Sequence, residues 1–252
     1  MSLPSARPAR RASLASLLRR APFFRTAWNE TYGWHVAAYL AVLSASLFAF
    51  ASLAQAITDE EAITRWDVRL NRWLHEHSSP ALTRVFELLT TTGGFAFLLL
   101  VAAAAVAFLA SRRAFAEAIL VALAFVGGQA LNGVMKVAFE RPRPEFRDPH
   151  LNLHTFSFPS GHAMVSTAVY GAITIIVLRR VRRTATRAAI IAAAALLVGL
   201  IGVSRIYLGA HYVSDVLAGV SLGLAWLTLC VLAITVRERK RHAGTHGLET
   251  QY

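Results

Sequence analysis

Lys136, Arg143, His162, Arg205, His211 and Asp215 fall in three short polar segments, 136–144, 159–162 and 204–215, that interrupt a mostly apolar chain. Three cations, two imidazoles and one carboxylate suit a phosphate site. The cations neutralise phosphoryl oxygens, and the imidazoles attack phosphorus or carry a proton. Lys136 and Arg143 flank Phe139, with Pro142 and Pro144 close by to stop a helix. An arginine fork takes two phosphate oxygens while a lysine adds a mobile point charge. Taken alone, the pair reads first as ordinary basic residues snorkelling from a helix end.

Pro159-Ser160-Gly161-His162 stands directly before an apolar run. A helix starting there aims backbone N–H groups and the positive end of its dipole at one point, where an anion fits. Ser160 can cap that helix or donate its hydroxyl, Gly161 lets the backbone approach a ligand, and His162 can hold a proton for a leaving oxygen. By itself this is a helix cap with an interfacial histidine. Ser204-Arg205 followed by His211 and Asp215 is more telling, because His211 and Asp215 stand one helical turn apart. A carboxylate so placed can fix one imidazole nitrogen and leave the other free to attack, although a structural His–Asp pair bridging a turn has the same spacing. An ionisable pair this close to a membrane span is costly, which favours function.

The elements that must position these residues are membrane spans. The 252-residue chain is 56% hydrophobic, its mean hydropathy is +0.48, and that apolar share exceeds an ordinary soluble domain's. Apolar runs at 34–57, 93–110, 114–137, 163–178, 188–203 and 213–236 give an all-α, six-span bundle. The runs 163–178 and 188–203 are short for a bilayer, so their helices are expected to extend into flanking polar residues. The domain reading is a basic tail over 1–33, one six-span domain over 34–236, and a second basic tail over 237–252.

The net charge of +12 places arginines against anionic headgroups and not against nucleic acid, since no basic stretch is interleaved with base-stacking aromatics. Arginines crowd the N-terminal tail, the 112–113 loop, the 179–187 loop and the C-terminal tail, so the positive-inside rule puts both termini in the cytoplasm and the three polar segments outside. The expected location is the inner (plasma) membrane. The exported first loop repeats apolar residues at helical spacing, Val68, Leu70, Trp73 and Leu74, then Leu82, Val85, Phe86 and Leu89, which predicts amphipathic helices on the interface serving as lid or platform. The Arg-, Ser- and Ala-rich first thirty residues also have the composition of an organelle transit peptide, but are read as a cytoplasmic tail. Cys230 is the only cysteine, which excludes an internal disulfide or a cysteine metal site.

Lys136-Val-Ala-Phe-Glu-Arg-Pro-Arg143-Pro144, Pro159-Ser160-Gly161-His162 and Ser204-Arg205-Ile-Tyr-Leu-Gly-Ala-His211-Tyr-Val-Ser-Asp215 resemble the three signature motifs of the type 2 phosphatidic acid phosphatase (PAP2) superfamily. Six residues separate lysine from Arg-Pro in the family's first motif, so Arg143-Pro144 is the matching pair and Arg141-Pro142 an adjacent duplicate. The resemblance implies a PAP2/haloperoxidase-like helical core and a lipid phosphatase of the bacterial membrane branch. It further implies His211 as nucleophile forming a phosphohistidine, Asp215 orienting it, and His162 as general acid. Lys136, Arg143, Ser160, the Gly161 backbone and Arg205 would bind the phosphoryl oxygens.

Three cations and helix-end amides can do this without a metal or other cofactor. His150 and His154 stand four apart and could in principle hold an ion, but carboxylates near them are sparse. The expected partner is a lipid phosphate in the bilayer. Undecaprenyl diphosphate ranks first by resemblance and outward orientation, with phosphatidylglycerol phosphate and phosphatidic acid as alternatives. Vanadate haloperoxidases resemble the family at this site but are soluble, against the spans seen here. A lipid-phosphate binding or transport protein without turnover is the remaining reading, and it is disfavoured by intact His162, His211 and Asp215.

Overall fold

The computed structural model describes residues 30–59, 62–145 and 155–249, and every regular element among them is a helix. The chain divides into two compact units, Met1–Ala41 and Val42–Tyr252. Of the first, residues 30–41 are described and form the opening turns of α1 (Glu30–Thr58). The second holds the rest of α1 and α2 (Ala62–Glu76), α3 (Pro80–Thr91), α4 (Phe95–Ser111), α5 (Phe115–Phe139), α6 (Gly161–Leu178), α7 (Thr184–Tyr207) and α8 (Val213–Glu249). Among the described residues, six stretches are long and apolar enough to cross a bilayer: Gly33–Thr58, Pro80–Ser111, Phe115–Phe139, Gly161–Leu178, Thr184–Tyr207 and Val213–Glu238. Each overlaps one of the six apolar runs of the sequence, but the second begins at Pro80 and so takes in α3, which the sequence reading placed in the first loop.

Helix α6 is the axis of the second unit, packing on α4, α5, α7 and α8. Small side chains make this close approach possible, with Ala163, Ser166, Ala168 and Ala172 of α6 and Ala218 and Ala225 of α8 all buried. Large apolar side chains are turned outward instead, including Phe48, Phe108 and Leu196, as expected where lipid tails and not water form the solvent. Near the site, Phe50 of α1 stacks on Phe158 at 5.7 Å, and Phe139 meets Phe158 edge-on at 4.9 Å. These rings wedge the end of α5 against the loop that enters α6.

Two boundaries differ from expectation. α7 extends beyond its apolar run at both ends, as the short run required, whereas α6 extends only at its start, by Gly161 and His162, and stops with the run at Leu178. Its 18 residues, those two included, rise about 27 Å, close to the thickness of a bilayer's hydrocarbon core. α8 continues as one helix to Glu249, past the apolar run that ends near 236, because the basic and acidic residues that follow are good helix formers with no proline among them. The expectations for residues 1–29 lie outside the described residues.

The first loop does form two helices, and α2 is turned unlike a soluble amphipathic helix. Its only buried residues are Asp67 and Asn71, whereas Trp66 and Trp73 are 66% and 53% exposed. A helix with a polar inner face and an aromatic outer face fits a setting with lipid on one side and a polar site on the other.

Candidate active site

The ends of α5, α6 and α7 and the turn before α8 surround one cavity of about 180 Å³. Lys136, Arg143, Gly161, His162, Arg205 and His211 all line it, together with Gly93, Gln129 and Asn132. Residues up to 118 positions apart in the sequence, Gly93 and His211, are thereby brought to a single pocket. Ser160 and Asp215 are fully buried behind this lining.

His211 sits in the turn between α7 and α8, where its backbone N–H donates to the Arg205 carbonyl at 3.2 Å. Its Nδ1 lies 3.4 Å from Asp215 Oδ2, at the outer limit of hydrogen bonding, and its Nε2 lies 3.4 Å from Arg143 Nη1. Nε2 is therefore the nitrogen that faces the cation Arg143. Burial pulls the His211 pKa down to about 4 despite the opposing effect of Asp215, with Arg205 and Arg143 adding to the lowering. The imidazole is neutral at pH 7 and carries a lone pair. Asp215 is held at both oxygens: Oδ2 accepts from the Tyr212 N–H at 2.9 Å and Oδ1 from Arg141 Nη1 at 2.6 Å.

The cations are set at different depths. Lys136, half-buried at the end of α5, donates to the Phe156 carbonyl at 2.5 Å and to Thr155 Oγ1 at 3.1 Å. Arg143 donates through Nε to the Thr155 carbonyl at 2.6 Å and through Nη1 to the Ala210 carbonyl at 2.7 Å. These bonds tie the 155–156 strand of chain to the pocket rim. Arg205 is only 2% exposed, anchored by Nη1 to Thr90 Oγ1 at 2.8 Å, with its Nε left without a partner.

Ser160 is the N-cap residue of α6 but makes no side-chain cap bond, and its Oγ is buried without a partner. Of the two roles open to it from sequence, the capping bond is not made, and the hydroxyl lies behind the cavity lining. Its backbone N–H donates to the Asp215 carbonyl at 3.0 Å, which locks the start of α6 to the start of α8. Gly161 has a steric reason as well: a Cβ there would stand 2.8 Å from Asn132 Oδ1, whose amide nitrogen bonds the Pro159 carbonyl at 3.2 Å.

Several residues of this site carry no motif signal. Arg141, which duplicates the motif's Arg-Pro pair, does not line the cavity. It is 6% exposed and bonded to Asp67 and Asp215, while Arg143 reaches the pocket and His211. Thr90 anchors Arg205, and Asn71 Nδ2 donates to the His211 carbonyl at 3.3 Å. Gly93, between α3 and α4, packs so tightly that a Cβ would fall 2.5 Å from Ile201 Cγ2 and 3.3 Å from His162 Cδ2. Gly93→Ala is accordingly expected to displace His162 and lower kcat about 10²-fold with little change in KM. An unchanged kcat in steady-state phosphate release would show that the imidazole tolerates the push.

No group of three or more His, Cys, Asp or Glu side chains able to hold a metal occurs among the described residues. His150 and His154 lie outside them. The donor set that does meet in the cavity is cationic, and that repels a metal ion and attracts an anion.

Known proteins share both the fold and the site-bearing region. A crystal structure of a transmembrane PAP2-type phosphatidylglycerolphosphate phosphatase from Bacillus subtilis matches with a TM-score of 0.69 and 31% identity, covering 75% of this chain and 93% of that one. The Aquifex aeolicus LpxE crystal structure matches in fold, with a TM-score of 0.52 at 24% identity over 66% of this chain and 94% of that one. Phosphatidylglycerophosphatase B of Bacillus subtilis is 33% identical over 180 residues, 71% of this chain and 88% of its own length. Lipid A 1-phosphatase of Rhizobium johnstonii is 35% identical over 116 residues, 42% of this chain and 43% of its own. The PAP2 superfamily pattern itself matches residues 115–239, the stretch that contains all three polar segments. The chain thus belongs to the PAP2 superfamily and is a multi-pass membrane lipid phosphatase.

Proposed function

We propose that this phosphatase works through a phosphohistidine on His211, at a site facing away from the cytoplasm, on a phosphate held at the headgroup plane. The observation that carries the reading is the neutral, buried His211 with Asp215 behind Nδ1 and the cation Arg143 beside Nε2. In the first step the Nε2 lone pair forms the N–P bond as the bond from phosphorus to the lipid oxygen breaks. His162 gives that oxygen its proton. In the second step His162 takes a proton from water, whose oxygen attacks phosphorus, and the N–P bond breaks to return His211 and release inorganic phosphate. Arg143, Arg205, Lys136 and the unpaired first N–H groups of α6 hold the phosphoryl oxygens throughout, and Ser160 Oγ adds a hydroxyl donor. The outward orientation rests on the arginine-rich 112–113 and 179–187 loops at the opposite ends of the spans.

Among substrates, phosphatidylglycerol phosphate has the support of a relative so named at 33% identity over 88% of its length. Undecaprenyl diphosphate, first by sequence resemblance, has no such support from the relatives and stands second. Phosphate release by the detergent-purified protein from these two lipids and phosphatidic acid, with and without EDTA, tests both the ranking and the metal independence. Preference for the diphosphate would reverse the order, and loss of all release in EDTA would remove the metal-free mechanism.

The nucleophile's protonation gives a further expected result. A histidine with an ordinary pKa near 6.5 is roughly 97% protonated at pH 5, whereas one at about 4 remains roughly nine-tenths neutral. Formation of the phosphoenzyme in a rapid quench should therefore continue at pH 5 at a rate close to that at pH 7. A fall in step with an ordinary histidine would contradict the buried, neutral assignment.

A further inference from the structure

Arg141 is the centre of a buried cluster that lies outside the cavity. Its Nη1 donates to Asp215 Oδ1 at 2.6 Å and to Ser214 Oγ at 2.8 Å, and its Nη2 donates to Asp67 Oδ2 at 3.0 Å. The guanidinium lies over the Tyr212 ring, 4.3 Å from its centroid. Asp67 also accepts from the Ser214 backbone N–H at 3.2 Å and from the Ser214 hydroxyl. One turn along α2, Asn71 holds the His211 carbonyl. α2 turns Trp66 and Trp73 outward and its two buried polar residues onto the turn that carries His211.

We propose that Arg141 and Asp67 are positioning residues for the phosphatase reaction, fixing Asp215 and through it the His211 imidazole, so that α2 is part of the catalytic apparatus. The inference rests on His211 being the nucleophile. Asp215 has two oxygens and must present one of them to Nδ1. Arg141 takes the other, and the fork geometry of a guanidinium fixes the carboxylate plane where a lysine would not. Asp67 in turn fixes the guanidinium. Two carboxylates and one guanidinium leave one net negative charge beside a neutral imidazole. That charge is compensated when His211 becomes cationic in attacking phosphorus, so the cluster favours the reacting state over the resting one. Arg141 touches neither the cavity nor the phosphate, which separates its role from that of Arg143.

The test is steady-state kinetics in mixed micelles on the lipid that the wild type hydrolyses, with His211→Ala alongside. Arg141→Met should lower kcat about 10²- to 10³-fold with KM within about threefold, and Arg141→Lys should recover part of the loss. Asp67→Asn, nearly isosteric and the variant that carries the test should Arg141→Met not fold, should lower kcat about tenfold at unchanged KM. Trapped phosphoenzyme should form more slowly in the same proportion. The double variant Asp67→Asn/Arg141→Met should be no slower than Arg141→Met alone, because the two act in series. Unchanged kcat in Asp67→Asn and Arg141→Lys, a rise in KM in place of a fall in kcat, or losses that multiply in the double variant would each overturn the positioning role while leaving the nucleophile in place. An inactive wild type, or a His211→Ala as active as wild type, would sink both.

Discussion

Replacing His211 by alanine is expected to reduce phosphate release by roughly 10⁴-fold or more, because on the proposed mechanism the variant lacks the atom that bonds to phosphorus. Arg143 Nη1, 3.4 Å from Nε2, can only donate. His162 lines the same cavity beside Gly93 and Gly94, and in the proposed mechanism its ring serves the leaving oxygen. The substitution removes a 2%-exposed side chain whose backbone contacts, to Arg205 and Asn71, survive it. Binding of a lipid phosphate should persist, since the cations remain. Retained turnover measured with the purified variant would exclude covalent catalysis through this residue.

Arg205→Ala is the second large effect, expected to cost about 10³-fold in kcat/KM. Arg205 is the most buried of the three cations and is gripped through one Nη by Thr90 of α3, which leaves its Nε without a protein partner. A charge anchored on one edge and open on the other is set in place before substrate arrives, so it does not lose energy reorganising as charge develops on the equatorial oxygens. Arg205→Lys keeps the charge but not the fork and should recover only a small part of the loss. Thr90→Val, which removes the anchor and keeps the volume, should fall between the two. Kinetics of the three variants check the order, and a lysine as active as arginine would show that a point charge suffices.

What the sequence carried, and what it did not, follows from the range of the interactions involved. The six spans were legible because a bilayer demands long apolar runs, and each run became a helix. His211 and Asp215 were legible because one helical turn is a local spacing. Arg143 and Arg141 were distinguishable only by a motif's count of residues, and the structure separates them by their contacts, Arg143 reaching the pocket and His211 and Arg141 the buried carboxylates. Asp67 was hidden among the mixed charges of the first loop, since nothing local shows that its partner lies 74 residues away. Gly93, Thr90 and Asn132 act by shape or by anchoring across helices, and no spacing rule reaches that far. The loop read as a lid or platform proves to hold the turn that bears His211 and to anchor Arg205.

The measurement closest to the central claim is trapping with a ³²P-labelled lipid phosphate, quenched in alkaline detergent. The purified protein should retain label that is acid-labile and alkali-stable, as a phosphoramidate is, and peptide mapping should place it on the segment containing His211. His211→Ala should carry none. Stable labelling of another residue, or rapid turnover with no label on any residue at the shortest quench times, would contradict the phosphohistidine mechanism.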